Sequence, residues 1–203
     1  TRLGDVMRST DAILRTGGPA SPAPWPTGFT PLDHYLGGGL RPGELALIGG
    51  PQGLGKTTFA LQVAREAMSR GHPVLYVSYE HDAVTVLERL LAMEAGESAG
   101  IEAPGLRDLR GLLEAAGDTA GLLDRLARHP GGAEAVIAVQ DYADHLEVFR
   151  AGGTTDVAAI IGAVASTTQV HGQAPLVIVD YVQKVADRSE HGENERMVSV
   201  VGS

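Results

Sequence analysis

The segment Gly50-Pro51-Gln52-Gly53-Leu54-Gly55-Lys56-Thr57 combines glycines, one lysine and one hydroxyl in the order G-x-x-x-x-G-K-[ST]. That order suits a polyphosphate. Gly50, Gly53 and Gly55 allow a tight backbone turn, so that several N–H groups converge on phosphate oxygens. A helix starting near Lys56 brings the positive end of its dipole to the same point. Lys56 supplies a mobile ammonium for the β- and γ-phosphates, and Thr57 a hydroxyl for Mg²⁺; Thr58 extends the phosphate-binding set. The bland alternative is a glycine-rich turn that fits the pattern by accident. Against it stands the context: the apolar run Leu45-Ala46-Leu47-Ile48 before the loop reads as a short buried strand, and residues 56–70 after it read as an amphipathic helix.

Two carboxylates could serve the same site. Leu176-Val177-Ile178-Val179-Asp180 is an apolar strand ending in an acid, which at the tip of a parallel strand sits on the ligand-binding edge of a sheet and can hold Mg²⁺. Strands also end in Asp for reasons of turn geometry, so the pairing with an intact phosphate loop upstream is what gives Asp180 its meaning. The run Val74-Leu75-Tyr76-Val77 leads to Glu80 in the same manner. A carboxylate there can orient and polarise an attacking water. Spacing alone leaves Glu80 equally well a solvated carboxylate at a strand end.

The elements needed to position these groups can be traced along the chain. Residues 1–16 form an amphipathic pattern through Leu3, Val6, Met7, Ile13 and Leu14, and residues 17–26 are a Gly/Pro/Ser-rich linker. A turn at residues 27–33 leads into a short helix ending at the glycines 37–39. On the helix after the loop, Phe59, Ala60, Val63, Ala64, Ala67 and Met68 share one face. Asp82 is placed to cap a helix running to about Ala95, with Leu87, Leu90 and Leu91 inward. Residues 106–128 read as one or two helices, residues 136–139 and 146–149 as strands, and residues 155–168 as a helix. The charged, Gly-containing stretch 187–196 reads as a loop. Alternating strands and helices imply an α/β fold with a parallel sheet covered on both faces.

Composition narrows the classes further. The chain has 203 residues and no cysteine, which excludes a disulfide scaffold and cysteine-ligated zinc and fits a cytoplasmic protein. No apolar run approaches the ~20 residues of a membrane-crossing helix. A formal net charge of −9 weighs against a surface coated for nucleic acid, though not against a local basic channel. The 7 histidines show no metal-ligand spacing. His72, His129, His171 and His191 read as solvated loop residues; His81 directly follows Glu80.

Taken together, PTGFTPLDHYLGGGLRPGELALIGGPQGLGKTTFALQVA resembles the start of the ATPase domain of DnaB-type replicative helicases and, more distantly, KaiC and RecA. Thr27, Gly28, Phe29, Leu32 and Asp33 match that family's TGFxxLD segment, and Pro42, Gly43 and Leu45 its PG(D/E)L strand. VLYVSYEHDAVTVLERLLAMEAG is similar to the family's strand ending in the catalytic glutamate, which implies that Glu80 activates water. LVIVDYVQKV is similar to its Walker B strand, with Asp180, Tyr181 and Gln183 on matching positions. The resemblance implies a RecA-like P-loop fold, a mostly parallel twisted sheet with helices on both faces, that binds and hydrolyses ATP with Mg²⁺. It further implies a homo-oligomer such as a hexameric ring, single-stranded DNA as partner, and a linker helix at residues 1–16 that packs on a neighbouring subunit. Residues 1–26 are then linker helix and flexible linker, and residues 27–203 the ATPase domain.

Residues 97–153 depart from the family pattern. The strand carrying the family's sensor glutamine, the arginine finger and the DNA-binding loops have no counterpart before Ser203. In RecA-like sheets that strand lies between the phosphate-loop strand and the Walker B strand, so the domain is expected to be incomplete at its C-terminus and part of a longer polypeptide. The same ATP site would equally serve a RecA/KaiC-like regulator or recombination mediator that does not unwind DNA, or an assembly protein that uses ATP as a structural switch.

Overall fold

A computed structural model describes residues 1–185. The chain divides into two compact units, Thr1–Gly49 and Gly50–Ser203. His191, the segment 187–196 and the helix expected after the Walker B strand lie outside the described residues.

The first unit contains helix α1 (Leu3–Arg15) and helix α2 (Thr30–Tyr35), with one antiparallel bridge between Trp25 and Leu40. The apolar stripe predicted for α1 is present, but none of its residues is buried. The turn before α2 is held by one carboxylate. Asp33 Oδ1 accepts from both the backbone N–H and the hydroxyl of Thr27, each at 2.7 Å, and Thr27 Oγ1 accepts from Phe29 N–H at 3.2 Å. Gly39 is required by close approach: a Cβ there would stand 2.1 Å from the Trp25 carbonyl oxygen.

Residues 45–48 are not the buried strand expected from their apolar pattern. They take no regular secondary structure, and Leu45, Leu47 and Ile48 are 68%, 66% and 52% exposed. A parallel strand exists only if a neighbour satisfies its N–H and C=O groups, and among the described residues none pairs with this segment.

The second unit is built on a sheet of three parallel strands in the order β2-β1-β3. They are β1 (Val74–Ser78), β2 (Leu146–Arg150) and β3 (Leu176–Asp180). β1 is central and fully buried, as its unbroken apolar run requires when helices cover both faces. Because side chains alternate along a strand, Val74 and Tyr76 enter one core while Leu75 and Val77 enter the other. The larger core receives α3 (Lys56–Ser69) through Leu61, Ala64 and Met68, and α4 (Ala83–Ala99) through Val86, Leu90 and Leu91. Helices α5 (Leu106–Glu114), α6 (Leu122–Leu126) and α7 (Gly132–Tyr142) complete it. On the opposite face α8 (Val157–His171) packs Ile160, Ala163 and Val164 beside Leu75 and Val77.

Helix α7 overturns the expectation of a strand at residues 136–139. Ala135, Val136, Val139 and Tyr142 are buried at helical spacing, and α7 packs extensively on α4. The approach depends on two glycines. Gly131 has φ 71°, and a Cβ on Gly132 would lie 2.0 Å from the Leu126 carbonyl oxygen. Where α4 and α7 meet, the buried Glu94 forms an ion pair with Arg65, Nε to Oε1 at 2.6 Å, and accepts from the Tyr142 hydroxyl at 2.9 Å. The ion pair and the hydrogen bond offset the cost of burying its charge.

Candidate nucleotide site

The phosphate-loop motif forms a turn that runs directly into α3. Gly53 and Gly55 hold φ of 83° and 85°, backbone geometry that side chains with a Cβ rarely adopt. Gly55 is the N-cap of α3, and no acidic residue occupies the helix's first turn. The free N–H groups and positive dipole end are therefore not neutralised from within the helix. Lys56 folds back over the loop, its Nζ donating to the carbonyl oxygens of Gly50 at 2.8 Å and Pro51 at 2.9 Å. Residues 50–55 and Thr58 are exposed, whereas Lys56 and Thr57 are half-buried. A solvent-accessible turn of N–H groups with one ammonium above it can take an oxyanion.

Thr57 ties this loop to the sheet. Its hydroxyl donates to Asp180 Oδ2 at 2.8 Å across 123 residues of sequence. The same oxygen accepts from the Tyr76 hydroxyl at 2.6 Å. Strand register explains the second bond. Tyr76 is paired with Ile178, so Asp180, two residues further along β3, lies on the same face of the sheet one step towards the strand tips. Tyr76 is 0% exposed, and burial, then the bond to and charge of Asp180, push its phenol far above the usual tyrosine range.

Glu80 is exposed two residues beyond the end of β1, on the edge that carries Asp180. The strands stay paired up to that edge, since Ser78 is in register with Asp180 and Tyr79 N–H donates to the Asp180 carbonyl at 3.0 Å. Beyond it, Ser78 Oγ accepts from His81 N–H at 2.9 Å, and Asp82 caps α4 by accepting from Thr85 N–H at 2.8 Å, as its sequence position predicted. Arg89, half-buried on α4, brings Nη2 to 3.4 Å from His81 Nε2. Gln183 falls in a short 3₁₀ turn, Val182–Lys184, just past Asp180.

The structure therefore brings Thr57 and Asp180 into direct contact, sets Lys56 on the loop beside them, and puts Glu80 on the same sheet edge. Sequence reasoning missed Tyr76. Its signal was a polar tip inside the otherwise aliphatic run of the central strand, which must find a partner when buried. Among the described residues no group of three His, Asp or Glu side chains is arranged to hold a metal. The Thr57 hydroxyl and Asp180 carboxylate nevertheless fit Mg²⁺, a hard cation that keeps several waters and takes one or two protein oxygens plus phosphate.

Two solved structures share this architecture. One, an ATPase domain, matches with a TM-score of 0.69 and 19% identity over 97% of this chain and 63% of its own. The other, a DnaB-like replicative helicase solved for its interactions with primase, matches with a TM-score of 0.68 and 19% identity over 95% of this chain and 43% of its own. Parallel strands with helices on both faces and a glycine-rich loop opening a helix make this a P-loop ATPase domain of the RecA-like class. Sequence relatives narrow the class. Residues 25–202 match the model of the DnaB-like helicase C-terminal domain, and the chain belongs to that family. It is also similar to the DNA repair protein RadA of Mycobacterium tuberculosis, 32% identical over 178 residues, or 88% of this chain and 35% of that protein. Streptococcus pyogenes RadA is 47% identical over 57 residues, 28% of this chain and 12% of its own length. The chain thus spans 35% or less of the length of these curated relatives.

Proposed function

We propose that this chain binds ATP with Mg²⁺ and hydrolyses it, and that copies assembled around single-stranded DNA convert the hydrolysis into movement along the strand. The reading rests above all on the 2.8 Å hydrogen bond between Thr57 and Asp180, which joins the phosphate loop to the tip of a distant strand. Residues 1–26 are the linker helix and linker, and residues 27–203 belong to the ATPase domain. The exposed apolar stripe of α1, with Leu3 75% and Met7 66% exposed, suits packing on a neighbouring copy. A cytoplasmic location goes with this reading.

In this scheme the loop residues Gly50, Pro51, Gln52, Gly53, Leu54 and Gly55 enclose the phosphates with backbone N–H groups, joined by those of Lys56, Thr57 and Thr58. Lys56 exchanges its two carbonyl acceptors for β- and γ-phosphate oxygens, trading neutral partners for charged ones. Thr57 and Asp180 hold Mg²⁺, which neutralises charge on the phosphates when bound. Glu80 accepts a hydrogen bond from the attacking water, orients it towards the γ-phosphorus and draws off its proton.

A second reading is favoured by the 32% identity to RadA, higher than the 19% shared with either solved structure. There the same ATPase serves DNA repair without unwinding. The two separate in one experiment on the full-length protein, with ATP turnover measured alone, with single-stranded DNA, and with a forked duplex carrying a fluorophore and quencher. Helicase action predicts DNA-stimulated turnover and strand separation. Stimulated turnover with the duplex left intact selects the repair reading, and absence of turnover under all three conditions refutes both.

A further inference from the structure

We infer that Tyr76 is a positioning residue for the metal side of the site: its hydroxyl fixes the Asp180 carboxylate in the orientation that Mg²⁺–nucleotide requires. The inference rests on the proposed ATP site and adds a residue to it. Asp180 ends β3, where the chain leaves the sheet, so the strand alone does not fix its χ angles. Two donors converge on one of its oxygens, Thr57 at 2.8 Å and Tyr76 at 2.6 Å, and both bonds fall on Oδ2. Among the described residues Oδ1 receives no hydrogen bond, which leaves it available to a cation or its water shell.

The two donors are not equivalent. Thr57 follows the loop in the first turn of α3 and is itself assigned to the Mg²⁺–phosphate side of the proposed site. Tyr76 is anchored on the central strand, completely buried, in the large core that also holds Val74 and Leu91. It cannot reach a ligand and acts only through Asp180. Bonds from a rigid outer group to a metal-binding carboxylate set its orientation, and their loss costs metal affinity by about 10- to 100-fold in well-studied sites.

The test uses Tyr76→Phe in the full-length protein, which keeps the ring and the core contacts and leaves Asp180 its bond from Thr57. Binding of a fluorescent ATP analogue is followed in EDTA and then across a Mg²⁺ titration. Unchanged affinity in EDTA together with a Mg²⁺ half-saturation concentration raised about tenfold is the expected result. The same rise should appear in the Mg²⁺ dependence of turnover, with kcat at saturating Mg²⁺ close to wild type. A lower melting temperature with an unshifted Mg²⁺ curve would make Tyr76 merely structural and overturn the inference. Wild-type protein whose nucleotide binding ignores Mg²⁺ would instead overturn the proposed site itself. Should the variant not fold, wild-type protein labelled with 3-fluorotyrosine gives the second readout. Its resonances are assigned by replacing each of the other tyrosines of the protein singly. The Tyr76 resonance must move when Mg²⁺ is added to nucleotide-loaded protein, and a stationary signal refutes the role.

Discussion

Replacing Gly132 by alanine and Gly111 by alanine should change stability in opposite directions, although each adds one methyl group to a helix. At Gly132 the new Cβ would stand 2.0 Å from the Leu126 carbonyl oxygen, 2.7 Å from its carbonyl carbon and 3.2 Å from its Cβ. Two of those atoms are backbone, so α7 must move away from the end of α6 or the turn between them must open. Overpacking of a buried site costs ~1–3 kcal/mol. Alanine recovers at most ~1 kcal/mol of helix propensity, and less at the first turn where Gly132 sits. The net expectation is destabilisation, centred near ~1.5 kcal/mol. Gly111 lies in the middle of α5, exposed, with nothing within 4 Å of its ideal Cβ. There only the propensity term acts, and alanine should stabilise by ~0.5–1 kcal/mol. Urea denaturation of both variants and wild type, followed by far-ultraviolet circular dichroism, measures the midpoints. A Gly132→Ala protein as stable as wild type would show that α7 does not depend on this close approach, and the packing argument would fail.

Lys56→Ala should weaken ATP binding by at least about 100-fold, since it removes charge-assisted bonds worth ~1.5–3 kcal/mol each; calorimetry with ATP reads it, and unaltered affinity would remove Lys56 from the site. Glu80→Gln should leave ATP binding intact while turnover falls by about 10²–10⁴-fold, because the amide cannot take the proton from water; normal turnover would reassign the base. His72 has its pKa lowered by burial first and then by the Arg70 and His145 charges, so in that range the unfolded chain binds more protons than the folded one. Its contribution to stability is complete above the unfolded value and falls away as pH drops below about 6.5. The acid-side loss of melting temperature should therefore be smaller in His72→Gln, and an identical pH profile would refute this.

Much of the site could be read from residues close together in sequence. The loop motif works through its own backbone and the first turn of α3. Asp82 caps α4 through Thr85, three residues away, and the apolar run of β1 announces a strand covered on both faces. These are local interactions, so local patterns report them. Residues 45–48 and 136–139 show the limit of that reading. Both are short and apolar; one has no ladder partner among the described residues and is not a strand, while the other buries its apolar side against α4 as part of α7. A short apolar run does not encode its own partner.

The chain order of Thr57, Tyr76 and Asp180 carries no hint that one carboxylate oxygen receives both hydroxyls. The parallel register of β1 and β3 decides it, together with the packing of α3 against the sheet, because these set which side chains share a face and how far apart their tips lie. The amino-acid sequence by itself determined the types of group available to a nucleotide and the short elements that carry them. Only the tertiary structure decided which groups touch, since contact across 123 residues depends on strand pairing and core packing rather than on any neighbour along the chain.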